Sequence, residues 1–172
     1  MINFRKITIE GFGSIVHNTT FNLDREGLNI IRGKIGSGKT SVPSSLYWCI
    51  YGKSLKKGSS IETWPEHRPK DYRGTMVKIE FTAANHHFEI IRCISYKATV
   101  FKKQKGGSGL FVIKDGVGIS SKGKTDIQNT INNIIGYSSD LFINSIIFGQ
   151  RLKRIIEETG PNKKKLFDEA FE

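Results

Sequence analysis

The stretch GKIGSGKTS, from Gly33 to Ser41, decides the fold of this 172-residue chain. It has the pattern GxxxxGK[ST] of a phosphate-binding loop. In such a loop successive backbone N–H groups turn inward around a phosphate, along a path that only glycine follows without strain. The loop ends at a helix N-terminus, where free N–H groups and the positive end of the helix dipole favour an anion. The stretch therefore predicts a nucleotide-binding site.

Two side chains of this loop have predicted chemical roles. Lys39 is expected to reach the β- and γ-phosphates as a point charge, and it is the first candidate catalytic residue. The hydroxyl of Thr40 is expected to ligate Mg²⁺. The pattern does not separate ATP from GTP. The predicted nucleotide contacts are Gly33, Lys34, Ile35, Gly36, Ser37, Gly38, Lys39, Thr40 and Ser41.

The segments on either side of the loop have the periodicity of an α/β fold. Phe4 to Glu10 alternates apolar and polar residues, as a half-buried strand does, and Ile15 to Leu23 is predicted to be a second strand. Leu28 to Ile31 is predicted to form a short strand that runs straight into the loop. A helix is predicted to follow, from about Lys39 to Tyr51.

The rest of the chain is predicted to form a polar surface loop, an antiparallel meander and several helices. Residues 53–74 are polar, basic and broken by Gly and Pro, as a surface loop is. Turns are predicted at residues 85–86, at the GGSG stretch 106–109 and at residues 115–116. The predicted strands are Met76–Thr82, Phe88–Ile94, Ala98–Lys103 and Leu110–Lys114, and helices are predicted to begin at Thr125 or Asp126, near Ser138 and at Lys163.

Composition indicates a basic globular protein. The chain is 37% hydrophobic and has a formal net charge of +11, which favours a polyanionic partner such as nucleic acid, with a solvated basic face as the alternative. The predicted DNA contacts are the basic loops at Lys53–Lys57 and Lys102–Lys105. The sequence has no metal-ligand spacing of Cys and His, no signal peptide and no run of 18 apolar residues. We therefore expect no zinc, no membrane association and a cytoplasmic location.

The order of these features resembles the N-terminal lobe of the head in SbcC-type DNA-repair ATPases, which are long coiled-coil relatives of SMC proteins. The resemblance covers essentially the whole chain and implies an ABC-type P-loop lobe with an antiparallel meander and a helical segment. It also implies a bacterial or phage-infected cell as the setting. The stretches that carry it are Ile9–Ser14, Gly36–Ser41, Leu46–Trp48 with Tyr51–Gly52, and Phe148–Gln150.

The resemblance implies further site residues and partners. Gln150 would be the Q-loop glutamine, which contacts the Mg²⁺ and the attacking water and is the second candidate catalytic residue. Ser14 and Ser41 would lie near the nucleotide phosphates. The implied ligands are ATP and Mg²⁺, the substrate is DNA ends, and the partner is a metal-dependent nuclease. ATP would also drive dimerisation with a second head, and that dimerisation would control DNA processing.

Three positions depart from the pattern of this family. The family usually has Arg where Gly13 stands, Asn where Ile35 stands, and Asp or Glu where Ser44 stands. These departures affect the predicted details of nucleotide contact more than the resemblance itself.

The end of the sequence suggests a longer protein. The last helix begins with three lysines and ends with acidic residues, so its charges oppose the helix dipole. Its apolar residues Leu166, Phe167 and Phe171 are predicted to be exposed. The signature motif, the Walker B Asp-Glu pair and the switch histidine have no match, and in this family they belong to a C-terminal lobe. We therefore expect residues 1–172 to be a single N-terminal lobe, with residues 161–172 beginning a coiled-coil helix.

Three other functions fit parts of this sequence. One is an SMC-like or RecF-like ATPase that loads on DNA without a nuclease. Another is a small stand-alone P-loop kinase, for which Arg151 and Arg154 are candidate lid residues but no DxD motif is found. The last is a non-catalytic nucleotide sensor. The role of Trp64 is also open, since it is either an adenine-stacking residue or an ordinary loop or core residue.

Overall fold

The alternating segments of the sequence form one six-stranded sheet in which every neighbouring pair of strands is antiparallel. The structure, a computed structural model, describes residues 2–24, 30–55, 58, 60–102, 104–119, 123–145 and 159–171. The strand order is β2-β1-β3-β4-β5-β6. The strands are β1 (Ile2–Glu10), β2 (Thr19–Asn22), β3 (Thr75–Ala83), β4 (His86–Phe101), β5 (Gln104–Lys114) and β6 (Val117–Gly118). This topology confirms the predicted α/β fold with an antiparallel meander.

The meander differs from the prediction at the GGSG stretch. β4 is a single strand of 16 residues, and residues 106–109 lie inside β5 instead of forming a turn. A Cβ atom added at Gly106 would lie 2.9 Å from Cδ1 of Tyr96 and 3.0 Å from Cγ1 of Val100. The glycine therefore leaves room for these two side chains of β4 to pack across the neighbouring strand. A local turn signal does not predict this use of glycine.

Helix α1 (Ser41–Tyr51) packs on the sheet and begins slightly later than predicted. Sγ of Cys49 donates hydrogen bonds to the carbonyl oxygens of Val77 (3.3 Å) and Ile90 (3.5 Å), which joins the helix to β3 and β4. Burial raises the pKa of the Cys49 thiol to about 12, so the thiol remains a donor. Pro43 is tolerated because the first N–H groups of a helix have no intrahelical partner.

The C-terminal end of α1 is held by a half-buried arginine, Arg92, on β4. Nε of Arg92 donates to the carbonyl oxygen of Cys49 (3.0 Å), and one of its terminal nitrogens donates to Ile50 O (3.2 Å) and to Oε1 of Gln128 (2.6 Å). The guanidinium also lies 5.9 Å from the ring centroid of Trp48. A cation at this position satisfies helix carbonyls and interacts favourably with the helix dipole.

Replacing Arg92 with methionine is expected to lower the free energy of unfolding by about 2–4 kcal/mol, because charged hydrogen bonds to buried carbonyls are lost. Methionine keeps the apolar stem, so packing is largely preserved. Urea unfolding measures the change. Arg5→Met is the matched control, since Arg5 is exposed and its replacement is expected to change stability by only about 0.5 kcal/mol or less. Equal stabilities of the two variants would contradict this role of Arg92.

Two strand predictions near the phosphate loop differ from the structure. β2 covers only Thr19–Asn22, because the N–H of Phe12 donates to Ile15 O (3.0 Å) in a tight turn before it. The predicted strand that enters the phosphate loop is wrong at residues 30–31, which have irregular backbone and side chains 61% and 41% exposed. Residues 28–29 lie outside the described residues. Strands form where backbone groups find a partner, and the described sheet offers none to this segment.

The helices near the C-terminus belong largely to a second compact unit, since the chain divides into Met1–Ile131 and Asn132–Glu172. These helices are α2 (Lys124–Ile135), which crosses the division, α3 (Ser139–Ser145) and α4 (Gly160–Phe171). None of the helices in the described part of the chain has the length and apolar character needed to cross a membrane.

An acidic side chain of α4 stabilises the start of α3. Glu169 accepts hydrogen bonds from the N–H (2.6 Å) and Oγ (2.8 Å) of Ser138, and that Oγ accepts one from the N–H of Leu141 (3.2 Å). The acidic residue that opposes the dipole of its own helix thus supports the N-terminus of another. The predicted exposure of Leu166 is wrong, since it is 5% exposed because the helix turns it inward. Phe167 is exposed, and the side chain of Phe171 lies outside the described residues.

Candidate nucleotide-binding site

The Gly-rich loop leads into the N-terminus of α1, as the sequence predicted. Gly36 and Gly38 have φ angles of +83° and +89°, which side-chain-bearing residues rarely adopt. The carbonyl oxygen of Gly38 accepts a hydrogen bond from the N–H of Ser41 (2.9 Å), which joins the loop to the first turn of the helix. A Cβ atom at Gly38 would also lie 2.9 Å from Cγ1 of Ile15. Both backbone conformation and space therefore require glycine here.

Lys39 lies back across the loop. Its Nζ donates hydrogen bonds to the carbonyl oxygens of Gly33 (2.8 Å) and Lys34 (2.7 Å). These bonds use two of the three donors of the ammonium group and hold its charge at the loop. Phosphate oxygens would compete effectively for this ammonium, because hydrogen bonds between two charged groups are stronger than bonds to a neutral carbonyl.

Thr40 and Ser41 occupy the first positions of the helix. Thr40 is the N-cap residue of α1, but its hydroxyl makes no capping hydrogen bond and its side chain is exposed. A hydroxyl oxygen that makes no capping bond at this point fits a Mg²⁺ ion, which prefers oxygen ligands and retains several waters. Ser41 is half-buried and faces Gly13, where an added Cβ would lie 2.9 Å from Oγ of Ser41.

The fold brings a turn from the start of the chain onto this loop. The turn comprises residues 11–15 and follows β1. Cβ of Ser14 lies 3.6 Å from the position that a Cβ atom would take at Gly38. Ser14 was implicated only by the family resemblance, and the structure places it beside the phosphate loop.

A cleft of about 480 Å³ opens next to the loop and was not foreseen from the sequence. One side is formed by the turn and β2, and the other by the segment around the short 3-10 helix Pro65–His67. That segment has no motif, so nothing in the sequence pairs it with β2. Trp64 precedes it, is 57% exposed and stacks on His67 with ring centroids 6.3 Å apart. Lining residues include Ser14, His17, Phe21, Ser37, Glu66 and Arg68.

Other predicted site residues are only partly described. Gln150 lies outside the described residues, as do residues 56–57 and 103 of the two basic loops. Lys53 and Lys102 are exposed. Across the described residues, no group of three or more His, Cys, Asp or Glu side chains is arranged to hold a metal ion.

The departures from the family pattern lie at the site itself. Ile35 is fully exposed in the loop, with a relative exposure of 103%. Gly13 has a φ of +54° and packs against Ser41, so the larger residue of the family would require this contact to shift.

A phosphate-binding loop at the N-terminus of a helix that packs on an antiparallel sheet defines a P-loop nucleotide-binding protein. The chain belongs to the AAA domain family (AAA_23), whose model matches residues 6–172.

Similar proteins confirm the resemblance to SbcC-type ATPases. A DNA double-strand break repair Rad50 ATPase of Thermoplasma acidophilum is 29% identical over 147 residues, which cover 85% of this chain and 15% of that protein. The SbcC component of the nuclease SbcCD of Staphylococcus saprophyticus is 27% identical over 89 residues, which cover 51% of this chain and 9% of that protein. The chain thus spans about 15% of the length of the Rad50 relative.

A solved structure shows the same fold. It comes from work on the structural biochemistry of ATP-driven dimerization and DNA-stimulated activation of SMC ATPases. It aligns with a TM-score of 0.62 and 16% identity over 98% of this chain and 99% of that chain.

Proposed function

We propose that this chain is the ATP-binding lobe of a DNA-repair or recombination ATPase that works with a metal-dependent nuclease on DNA ends. The observation that carries the proposal is the contact of the Ser14 turn with Gly38 and Ser41, next to the ammonium of Lys39. This contact brings two of the stretches that resemble SbcC-type ATPases, Ile9–Ser14 and Gly36–Ser41, next to each other, and this supports the proposal. The similarity to Rad50 and SbcC proteins supports it.

Each residue of the site then has a role in holding Mg-ATP. Backbone N–H groups of residues 36–41 surround the phosphates, and Lys39 exchanges its two carbonyl partners for phosphate oxygens. Thr40 would ligate a Mg²⁺ ion, which would neutralise phosphate charge. Ser14 would lie at the phosphates, and Gln150 would contact the Mg²⁺ ion and orient the attacking water. The cleft beside the loop accommodates the nucleoside.

Hydrolysis requires more groups than these, so a C-terminal lobe and a second head complete the proposed enzyme. The transferred phosphoryl group needs donors for its developing charge and an oriented water molecule. Exposed apolar side chains at residues 30–31, Ile35 and Phe167 suit surfaces that another lobe covers. In the proposed enzyme, residues 161–172 begin the coiled coil and ATP-driven head dimerisation controls DNA processing.

The proposed location is the cytoplasm of a bacterial or phage-infected cell. Both cysteines, Cys49 and Cys93, are free thiols and buried, which suits a reducing compartment.

The proposed function is tested on the full-length protein purified from its own host. We expect a co-purifying, metal-dependent nuclease that degrades linear DNA but not closed circular DNA, and we expect this activity to require ATP and Lys39. ATP-dependent DNA binding without nuclease activity would favour the SMC-like or RecF-like alternative. Phosphorylation of a small substrate would identify a kinase and overturn the proposal.

DNA binding by the full-length protein is expected to weaken steeply with salt, because Lys and Arg side chains displace counterions from phosphates. The slope of log K against log salt is negative. Replacing both Lys53 and Lys102 with Gln should make it less steep by about 2, or about 1 for each phosphate contact. Filter binding or fluorescence anisotropy at several salt concentrations measures this slope.

The matched control removes the same charge elsewhere, with Arg5 and Lys124 replaced by Gln. Both are exposed and lie outside the two basic loops. Equal slopes of log K against log salt for the two double variants would mean that the basic loops face solvent and do not contact DNA.

A further inference from the structure

The carbonyl oxygen of Gly11 accepts three hydrogen bonds at the start of the turn that carries Ser14. Oγ1 of Thr75 donates at 2.6 Å, the N–H of Thr63 at 3.0 Å and Oη of Tyr72 at 3.4 Å. Gly11, Thr63 and Thr75 are buried, so water does not replace these donors. The start of the turn is therefore fixed by two segments that lie far from it in the sequence.

The residue before Gly11 is anchored as well. The carboxylate of Glu10, which is 5% exposed, accepts hydrogen bonds from Nδ2 of Asn18 (3.1 Å), Nε of Arg73 (2.9 Å) and Oη of Tyr96 (2.8 Å). A buried carboxylate is tolerated only with such partners. Glu10 thus holds the end of β1 in register with β3 and β4, and the carbonyl of Gly11 sets the direction in which the chain leaves it.

The turn packs closely against the phosphate loop. A Cβ atom would lie 2.9 Å from Oγ of Ser41 if added at Gly13, and 2.9 Å from Cγ1 of Ile15 if added at Gly38. The far side of the turn is held by the loop of residues 61–63, because the N–H of Gly13 donates to Ile61 O (2.9 Å). With so little free space, a displacement of the turn would displace the phosphate loop.

We propose that Thr75 is a positioning residue for the nucleotide site. Through the carbonyl of Gly11, its hydroxyl fixes the turn of residues 11–15 against Gly38 and so sets the shape of the phosphate loop before nucleotide binds. A loop that already has its binding shape loses less conformational entropy on binding, which strengthens affinity. This inference rests on the proposed nucleotide-binding function of the loop.

The test compares three variants of the 172-residue chain. Thr75→Val keeps the shape of the side chain and removes its hydroxyl, and we expect the Kd for Mg-ATP to rise roughly three- to tenfold. Thr75→Ser restores the hydroxyl and should return the Kd to the wild-type value. Thr63→Val is the matched control, because it keeps the backbone N–H that donates to Gly11 and removes only the buried Oγ1, which has no hydrogen-bond partner among the described residues. Its Kd should be unchanged.

Hydrogen exchange gives a second readout that needs no nucleotide. We expect faster exchange of the amides of residues 11–15 and 36–41 in Thr75→Val, and wild-type exchange of these amides in Thr63→Val. If the wild-type chain does not bind Mg-ATP, the proposed function fails, but the exchange data still decide whether Thr75 positions the loop.

Two outcomes would overturn the positioning role. One is an unchanged Kd together with unchanged exchange at residues 11–15 and 36–41 in Thr75→Val. The other is an equal effect of Thr63→Val. If Thr75→Val does not fold, Thr75→Ala takes its place, since it removes the same hydroxyl from the carbonyl of Gly11. The same changes in Kd and exchange are then expected, and their absence would equally overturn the proposal.

Discussion

Mg-ATP is expected to bind about 100-fold or more weakly when Lys39 is replaced by alanine. The ammonium is the one side-chain charge of the loop that the motif assigns to the β- and γ-phosphates. Two unit charges about 4 Å apart near a protein surface interact by about 4 kcal/mol, which corresponds to roughly 1,000-fold in affinity before solvation losses. Calorimetry of Mg-ATP binding to the wild-type and variant chains measures the difference.

The loss should reflect the missing charge and not unfolding. Nζ of Lys39 contacts only the carbonyl oxygens of Gly33 and Lys34 among its described hydrogen bonds, and water can replace it at these exposed positions. The circular dichroism spectrum and the Tm of Lys39→Ala should therefore match those of the wild type. Lys124→Ala removes an equal charge from an exposed site on α2 and should bind Mg-ATP normally. An unchanged affinity in Lys39→Ala would show that the loop is not the phosphate site.

The 172-residue chain alone is expected to bind Mg-ATP but to hydrolyse it at least about 100-fold more slowly than a typical ATPase with a kcat of about 10 per second. The loop supplies Lys39 and Thr40, and Gln150 is the proposed third group. Phosphoryl transfer also needs a further acidic ligand for Mg²⁺ and donors for the charge that develops on the γ-phosphoryl oxygens. The described residues contain no cluster of acidic side chains that could hold the ion.

A phosphate-release assay with and without Mg²⁺ measures this turnover. Adding the proposed C-terminal lobe in trans should raise the rate, because the missing groups are proposed to come from that lobe and a second head. Lys39→Ala serves as the control for contaminating phosphatases. Rapid Mg²⁺-dependent turnover by the chain alone, abolished in Lys39→Ala, would mean that the catalytic set is complete within these residues and that the proposed class is wrong.

Local patterns predicted much of the fold. They failed where the conformation of a residue depends on contacts with residues far away in the sequence. The strand at Phe4 to Glu10 and a helix beginning near Ser138 were predicted, because side-chain periodicity and helix capping depend on near neighbours. The GGSG stretch was misread as a turn, because its glycine at 106 accommodates Tyr96 and Val100 on another strand. The strand predicted before the phosphate loop is not formed at residues 30–31, because a strand depends on a partner that a local pattern does not reveal.

The sequence by itself determined the phosphate loop and its position before a helix, since the φ angles of Gly36 and Gly38 and the free N–H groups that follow are local properties of the backbone. Only the tertiary structure decided what surrounds that loop. The turn with Ser14 is held there through the carbonyl of Gly11, which accepts from the N–H of Thr63 and the hydroxyl of Thr75, 52 and 64 residues further along the chain. Such contacts depend on strand register and burial, and these depend on how all the strands of the sheet pair with one another. No short stretch of sequence therefore encodes them.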